Sequence, residues 1–572
     1  MQIIIWYNVE RWGFAPPITS LKEIQMKQLN GALFAAMIKN GAAALKNKKT
    51  EVNDLNVFPI PDGDTGENMF MTIDAGVVAL SEESGSLGET AKQAANGMLL
   101  GARGNSGVIL SRIFAGIARG LEGVEEADIP TLHAAMESGV KESYSAVAVP
   151  VEGTILTVYS DAVRYAGSRV TGGSTLETYF NDLHYELCRS LERTPDLLDV
   201  LKEAGVVDSG GAGFVYITEG MQRALSGEVD ILSEGISEKR KNVDLNAFTE
   251  DSVLEFGYCT EFLLRLQRAK VDLDTFDVNS LIDWLNSVGD SVVCFREGTV
   301  VKVHVHTRKP GDVFNYVQQF GEFLTMKIEN MTLQHNEAHG GESFKSKVEK
   351  PRKPYGIVSV AAGKGIQNAF RELGCDVVVD GGQSMNPSAE DLISAFKEIN
   401  ADVIFVFPNN SNIMMTAQQA AEIYDGSDVR VVPSKTIGDG YAAISMLDTD
   451  SGDTDAILAQ LSEIIDGVET GTVSRAVRDA EKDGVKVVKD DYIGFVDDTI
   501  LVDDADRTQT ALALAEKMKA GRYDIMLVCI GADVPAEESE RLCAALSKTY
   551  RRTEVVPIDG GQPIYDYIII LE

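Results

Sequence analysis

The sequence predicts a multidomain protein: an all-α N-terminal domain, a small α/β domain and a C-terminal α/β domain. Three observations carry this expectation. The chain has 572 residues, enough for three or four domains of about 150 residues, each with its own core. Apolar residues recur at helical spacing from Met26 to near Gly227, with few runs of alternating β-branched residues. Beyond a polar connection at 234–246 the pattern becomes mixed, and from Tyr355 short apolar strands alternate with helices.

Composition narrows the class further. Hydrophobic residues make up 44% and charged residues 24%, an ordinary globular balance. With 87 acidic against 52 basic residues the formal charge is -35, so a nucleic acid would be repelled and is not expected as a partner. No run of about 18 apolar residues is present, so no transmembrane segment is expected. Six scattered cysteines are too sparse for a disulfide framework, which points to a reducing, cytoplasmic setting.

Residues 1–25 hold two of the three tryptophans and the break Pro16-Pro17. The apolar Ile3-Ile4-Ile5-Trp6 is too short for a signal-peptide core and no basic segment precedes it. The stretch reads as an upstream extension outside the fold, in keeping with a misplaced start codon. Domain one, 26–233, begins with the helical series Leu29, Leu33, Met37 and Leu45, and further helices are expected at 90–100, 106–121, 131–147, 154–166, 175–191 and 211–225. Domain two, 234–341, has strand character at 262–266 and 299–306 and helical character at 280–287 and 312–320. The stretch 342–354, with Pro351, Pro354 and a cluster of basic residues, reads as a solvated linker. Domain three, 355–572, carries strand-like runs at 356–361, 376–379, 403–407, 429–432 and 525–530, which suggests a largely parallel sheet. The phrases Gly381-Gly382-Gln383 and Gly560-Gly561-Gln562 echo each other and hint at two related halves, although shared turn chemistry explains them almost as well.

The strongest chemical motif runs from Asn56 through Asp62-Gly63-Asp64-Thr65-Gly66-Glu67-Asn68. A glycine between two aspartates lets a bent backbone turn both carboxylates toward one point. Mg²⁺ prefers such oxygen ligands together with substrate phosphates. Thr65-Gly66 then leads into a helix whose first amides can receive a phosphate. A second Gly-rich stretch, Gly101-Ala102-Arg103-Gly104-Asn105-Ser106-Gly107, precedes another helix, and Asn105 or Ser106 can cap it and bond phosphate oxygen. A third, Val207-Asp208-Ser209-Gly210-Gly211, joins an acid to small residues ahead of a helix. Three helix entries of this kind suggest one nucleotide site assembled from several turns. Ala362-Gly363-Lys364-Gly365 looks like the tail of a P-loop, but Val358 replaces its first glycine and Gly365 its metal-binding hydroxyl.

The strings NVFPIPDGDTGENM, GARGNSGVILS, PVEGTIL and VVDSGGAGF resemble the nucleotide-binding domain of the dihydroxyacetone kinase family. Their order, with the two domains that follow, resembles the ATP-binding catalytic component of bacterial fatty acid kinase over essentially all of 26–572. The resemblance implies an eight-helix barrel binding ATP and two Mg²⁺ at one end. It implies that Asp62 and Asp64 hold metal, and that Thr65, Gly66, Asn68, Asn105, Ser106, Asp208 and Gly210 line the nucleotide. Dihydroxyacetone kinase proper has a third metal aspartate upstream, where this chain has Asn56, a weaker Mg²⁺ ligand at slightly different spacing. Arg193, beside Pro195, aligns too loosely to carry a role.

In Val301-Lys302-Val303-His304-Val305-His306, strand alternation sends the valines to one face and His304 and His306 to the other. Spacing alone favours two surface histidines and a small buried Cys259. The resemblance reverses that preference, because the family matches here with a zinc-binding cysteine and histidine pair, giving Cys259, His304 and His306 as Zn²⁺ ligands. A fourth ligand is left open among Glu261, His335 and water.

A fatty acid carboxylate is already an anionic nucleophile near neutral pH and needs no general base. The helical domain offers only His133 and His184, neither beside a phosphate loop, in keeping with a carboxylate acceptor. The resemblance implies that a separate fatty-acid-binding carrier protein presents the substrate. The last domain would then dock that carrier or mediate self-association as a homodimer. Two alternatives stand beside this reading: a phosphotransferase component of the dihydroxyacetone kinase type, and a non-enzymatic nucleotide-binding regulatory module.

Overall fold

The computed structural model describes residues 26–56, 63–81, 85–227, 258–273, 276–297, 299–330, 352–382, 385–449 and 452–572. The expected extension at 1–25, Asp62 and His335 lie outside the described residues. Two compact units divide the chain: Met1–Gly235 with Pro351–Glu572, and Ile236–Lys350.

The first unit opens with a ring of helices: α1 (Gly31–Asn53), α2 (Thr65–Val78), α3 (Leu87–Gly101), α4 (Gly104–Gly120), α5 (Ile129–Ser145), α6 (Ile155–Ser168), α7 (Leu176–Leu197), the short α8 (Asp199–Ala204) and α9 (Ser209–Leu225). Two short strands, β1 (Leu29–Asn30) and β2 (Glu126–Ala127), pair antiparallel beside the starts of α1 and α5. Side-chain caps start several of the helices. Asn30, Ser86, Asp128 and Thr175 each accept a backbone amide of the following first turn. Each long helix packs on the next, and α9 returns to α1 to close the ring. The interior is a single apolar core that includes Ile38, Leu45, Tyr159, Phe180 and Phe214. Glycines set the closest seams. A Cβ at Gly220 of α9 would stand 2.3 Å from the Asn40 carbonyl of α1, and one at Gly116 of α4 would stand 2.6 Å from Gly139 Cα of α5. The helical expectations hold in type. Their extents differ by a few residues: α7 continues through Pro195 to Leu197, and α3, α4 and α9 start two or three residues earlier than expected. The stretch 101–107 is therefore no open loop, because only Ala102 and Arg103 separate α3 from α4.

The C-terminal part of this unit has two main sheets. Strands β7 (Lys353–Ala361), β8 (Val377–Asp380), β9 (Ala401–Phe407) and β10 (Asp428–Val431) form a parallel sheet in the order β10-β9-β7-β8. Helices α12 (Lys364–Glu372), α13 (Ala389–Lys397) and α14 (Ser411–Ile423) make its crossovers. The second sheet has the order β15-β14-β11-β18-β16-β17, built from β11 (Glu469–Arg475), β14 (Tyr492–Val496), β15 (Thr499–Asp504), β16 (Ile525–Gly531), β17 (Glu554–Gln562) and β18 (Tyr565–Leu571). Only β16 and β17 pair in parallel there. A small hairpin of β12 (Ala480–Lys482) and β13 (Val485–Val487) forms its own two-stranded sheet, with Val487 packed against Ile493 and Phe495 of the second sheet. The largely parallel sheet expected from sequence thus describes the first sheet and not the second. The echo of Gly381-Gly382-Gln383 and Gly560-Gly561-Gln562 does not mark two like halves, since the sheets differ in topology. Glycines of the rejected P-loop string close the two lobes together: a Cβ at Gly365 would lie 1.6 Å from the Asp559 carbonyl oxygen.

In the second unit β3 (Tyr258–Leu266), β4 (Asp290–Glu297), β5 (Val300–Thr307) and β6 (Gly321–Asn330) form an antiparallel sheet in the order β4-β5-β3-β6. It packs with α10 (Val278–Val288) and α11 (Pro310–Val317). Val301, Val303 and Val305 are all buried, as strand alternation requires. Among the described residues no helix is long and apolar enough to cross a membrane.

Candidate nucleotide and metal site

Four helices begin at one end of the ring. The Ser209 hydroxyl at the start of α9 donates to Thr65 Oγ1 at the start of α2 (3.2 Å), and the Thr65 hydroxyl donates to Asn56 Oδ1 (3.1 Å). Gly104, at the start of α4 with φ 57°, leaves no room for a side chain: a Cβ would meet Asn68 Nδ2 of α2 at 2.5 Å. The Asp208 carboxylate accepts the Gly211 amide of α9 at 2.6 Å and the Ile155 amide that opens α6. The first amides of a helix lack intrahelical partners and carry the positive end of its dipole. Four such ends gathered together favour an anion, above all a phosphate.

The residues singled out in the sequence divide into two groups here. Several join helix ends. The Gly66 amide donates to Asn53 Oδ1 at 2.7 Å, and a Cβ on Gly66 would stand 2.2 Å from the Lys49 carbonyl oxygen, so this glycine lets α1 and α2 touch. Gly210 lies against Ile155 in the same manner. Asp208 caps both α9 and α6 with one carboxylate. Others do not cap a helix. Asp64 stands at the N-cap of α2, yet its side chain makes no capping bond. Asn105 Nδ2 donates to Asn412 at 3.4 Å while its Oδ1 is buried without a partner.

Burial pushes the Asp64 carboxyl up to about 6, against the opposing effect of amide donors on Asn68 and Asn386. Burial raises Asp208 to about 6 as well, opposed by the amides of Gly211 and Ile155. His133 lies against Tyr179 (3.1 Å), and burial holds His184 down at about 4 beside Cys188. Arg193 is taken up by Glu186 (2.8 Å) and Asp161 (3.1 Å).

Three contributors to this end were not found from sequence. Asn53 serves the α2 amides from the last turn of α1. Asn386 and Arg478 come from the C-terminal domain: Asn386 Nδ2 donates to Asp64, and Arg478 donates to the Asn56 carbonyl. The sequence placed the whole site ahead of residue 355, and no local pattern marks either distant residue.

The Asp64 carboxylate, the Asn56 amide oxygen and the Thr65 hydroxyl are oxygen donors of the kind a hard divalent cation takes. In the second unit the β3–β5 register sets Cys259 opposite His306 and Glu261 opposite His304. Among the described residues no group of three or more His, Cys, Asp and Glu side chains is arranged to hold a metal. The side chains of Cys259 and His304 are not among those described.

These features define a helical domain of the DAK2 class joined to two further domains. The DAK2 domain model matches residues 59–223, the FakA-like middle-domain model of fatty acid kinase matches 255–338, and the FakA-like C-terminal model matches 356–572. The chain belongs to the FakA-like family of fatty acid kinase proteins. It is 39% identical over 560 residues to Protein YloV of Bacillus subtilis (strain 168), covering 96% of this chain and 100% of that one. An uncharacterized protein of Staphylococcus aureus (strain USA300) is 37% identical over 560 residues, with the same coverage. Among solved structures, the dihydroxyacetone kinase from C. freundii in complex with AMP-PNP and Mg²⁺ aligns with 36% of each chain (17% identity, TM-score 0.28). A fatty-acid-binding DegV-family protein from Thermus thermophilus aligns with 38% of this chain and 99% of its own (12% identity, TM-score 0.29).

The raised carboxyls make a pH prediction. Between about pH 4 and 6 the folded metal-free protein binds more protons at Asp64 and Asp208 than the unfolded chain does. Their contribution to stability is therefore present at low pH and lost as pH rises through about 6. A cation binds only the ionised carboxylate and so has the opposite dependence. The thermal stabilisation given by Mg²⁺ with AMP-PNP is expected to be full at pH 7.5 and to fall away below pH 6. The corresponding affinity should drop by up to roughly tenfold per pH unit for one competing proton. Calorimetric titration at pH 5.0 and 7.5 measures it.

Proposed function

We propose that this chain is the phosphoryl-transferring component of a fatty acid kinase: it binds ATP with Mg²⁺ and phosphorylates a fatty acid carboxylate presented by a separate lipid-binding protein. The observation that carries the reading is the meeting of four helix N-termini beside Asp64 in a chain of this family. Asp62 and Asp64 would hold the metal, which supplies charge neutralisation on the transferring phosphate. Asn56 would be a further, neutral ligand. The first turns of α2 and α4, with Thr65, Asn68, Asn105 and Ser106, would cradle phosphate oxygens. Asp208 and Gly210 would keep α6 and α9 in register, with Asp208 acting as a cap that holds the site open.

In the reaction an oxygen of the carboxylate attacks the γ-phosphorus, the bond from that phosphorus to the β,γ-bridging oxygen breaks, and ADP leaves with the electron pair. No proton has to move, in agreement with histidines that sit away from Asp64 in the barrel wall. The apolar void among Phe34, Leu132, Phe180 and Met221 amounts to about 20 Å³, too little for an acyl chain. The test is transfer of γ-phosphate from labelled ATP to oleate with and without a fatty-acid-binding partner. Labelled acyl phosphate formed only with the partner supports the reading. Phosphorylation of dihydroxyacetone instead of oleate would replace it.

We further propose a Zn²⁺ site at Cys259, His304 and His306, supported by the pairing of Cys259 with His306 across β3 and β5. Protein prepared without chelator is expected to contain about one zinc per chain, lost in a Cys259→Ser, His304→Ala double variant. Zinc-free protein on metal analysis would remove the assignment.

A further inference from the structure

An open α/β sheet presents its ligand-binding loops at the carboxyl ends of its strands, near the point where the strand order reverses. In the parallel sheet that point lies between β7 and β9. Residues that follow β8 and β9 meet the barrel there: Asn386 bonds Asp64, and Asn412 accepts from Asn105. The loop after β8 delivers Asn386, which is 1% exposed. Its side-chain nitrogen donates to Asp64 Oδ2, its Oδ1 has no partner, and its carbonyl oxygen accepts from Arg103 Nη1 at 2.6 Å. Arg103 also pairs with Asp391 at 3.4 Å, and the Ala389 amide donates to the Ala102 carbonyl at 3.3 Å. One short segment of the C-terminal domain thus holds both the two-residue break between α3 and α4 and the carboxylate of Asp64.

The amide orientation follows from charge. Turned over, Asn386 would set its oxygen against a carboxylate oxygen, so only the observed orientation suits an ionised Asp64. Because Asp64 does not cap its own helix, its rotamer is held by the amide groups of Asn68 and Asn386. One of those two holders belongs to a different domain. Partners that orient a metal-binding carboxylate change metal affinity by about 10- to 100-fold when removed.

We propose that Asn386 is a positioning residue for Asp64: through this side chain, and not through docking in general, the C-terminal domain sets how tightly the barrel holds a divalent cation. The inference rests on the reading of Asp64 as a cation ligand. Coupling of this kind is reciprocal, so a bound cation also favours the docked domain. A partner that engages the C-terminal domain would thereby act on the cation.

The experiment is a Mn²⁺ titration of the full chain with saturating AMP-PNP, read by calorimetry. Asn386→Ala and the near-isosteric Asn386→Leu are compared with Gln419→Ala. Gln419 docks the same domain through the Leu99 carbonyl (2.6 Å) and Arg112 (3.0 Å), with no bond to Asp64. Both Asn386 variants are expected to bind Mn²⁺ at least about tenfold more weakly, with Gln419→Ala close to wild type. Hydrogen exchange of 385–391 should slow on Mn²⁺ binding in wild type and not in the Asn386 variants. Mn²⁺ affinity unchanged in both Asn386 variants overturns the proposal. So does an equal loss in Gln419→Ala, since Asn386 would then act through docking alone. A wild-type chain that binds AMP-PNP but no Mn²⁺ defeats the cation reading of Asp64 and this inference with it.

Discussion

Asp64→Ala is expected to lower phosphoryl transfer by about a thousandfold or more while the protein stays folded. The structure separates these two outcomes. The Asp64 carboxylate makes no capping bond to α2, because Asn53 takes the Gly66 amide in its place. Burial has pushed its carboxyl up to about 6, so near neutral pH the fold carries an ionised group that its surroundings disfavour. Alanine removes that group, and the melting temperature of the metal-free protein should stay level or rise. The additional stabilisation given by Mg²⁺ with AMP-PNP should shrink together with turnover. Asp62→Ala is expected to abolish transfer on the chemical ground that a cation in phosphoryl transfer needs its carboxylates. Near-normal turnover in both variants at saturating Mg²⁺ would remove the metal assignment. A large fall in the metal-free melting temperature of Asp64→Ala would instead make Asp64 a structural residue.

Without a lipid-binding partner, the full chain is expected to bind ATP and Mg²⁺ yet phosphorylate free fatty acid poorly. A formal charge of -35 repels a free carboxylate over a Debye length of about 8 Å at physiological salt. A partner that buries the acyl tail and fixes the carboxylate beside the γ-phosphate turns a bimolecular encounter into a positioned one, an effect that can reach about 7–11 kcal/mol of barrier. Adding such a partner should raise turnover by several orders of magnitude, with little change in nucleotide affinity measured without it. Efficient transfer to free oleate by the chain alone would overturn the two-component mechanism. Variants at Asn386 offer a second route to the same question. If the partner engages the C-terminal domain, their weakened cation binding should blunt its effect on turnover while its own binding persists.

Much of the molecule is legible in the linear sequence, because helix ends and strand periods are written locally. The helical series from Leu29, the acid-and-glycine helix entries at Asp64 and Asp208, and the alternating Val301, Val303 and Val305 need only neighbours a few residues away. Where local reading failed, a non-local partner decided the outcome. The second C-terminal sheet is mostly antiparallel because β18, at the chain end, inserts between β11 and β16, and no strand announces which neighbour it will pair with. The glycines of 101–107 read as one Gly-rich stretch ahead of a helix, whereas α3 runs to Gly101 and α4 restarts at Gly104, whose missing side chain admits Asn68. The close approach that Gly66 allows between α1 and α2, with the Lys49 carbonyl in the space of a side chain, is likewise invisible in the linear sequence.

The sequence by itself determined the local signals: an acid-glycine-acid motif just ahead of a helix and two further helix entries rich in small residues. Those are properties of residue type at short spacing, where chain connectivity already places the groups together. Only the tertiary structure decided that four helix ends meet at one place, that Asp208 joins two of them, and that Asn386 reaches Asp64 from 322 residues away. The reason is physical. A hydrogen bond between distant segments depends on how whole helices and sheets pack, and an asparagine that will hold a carboxylate looks, in the chain, like any other asparagine ahead of a proline.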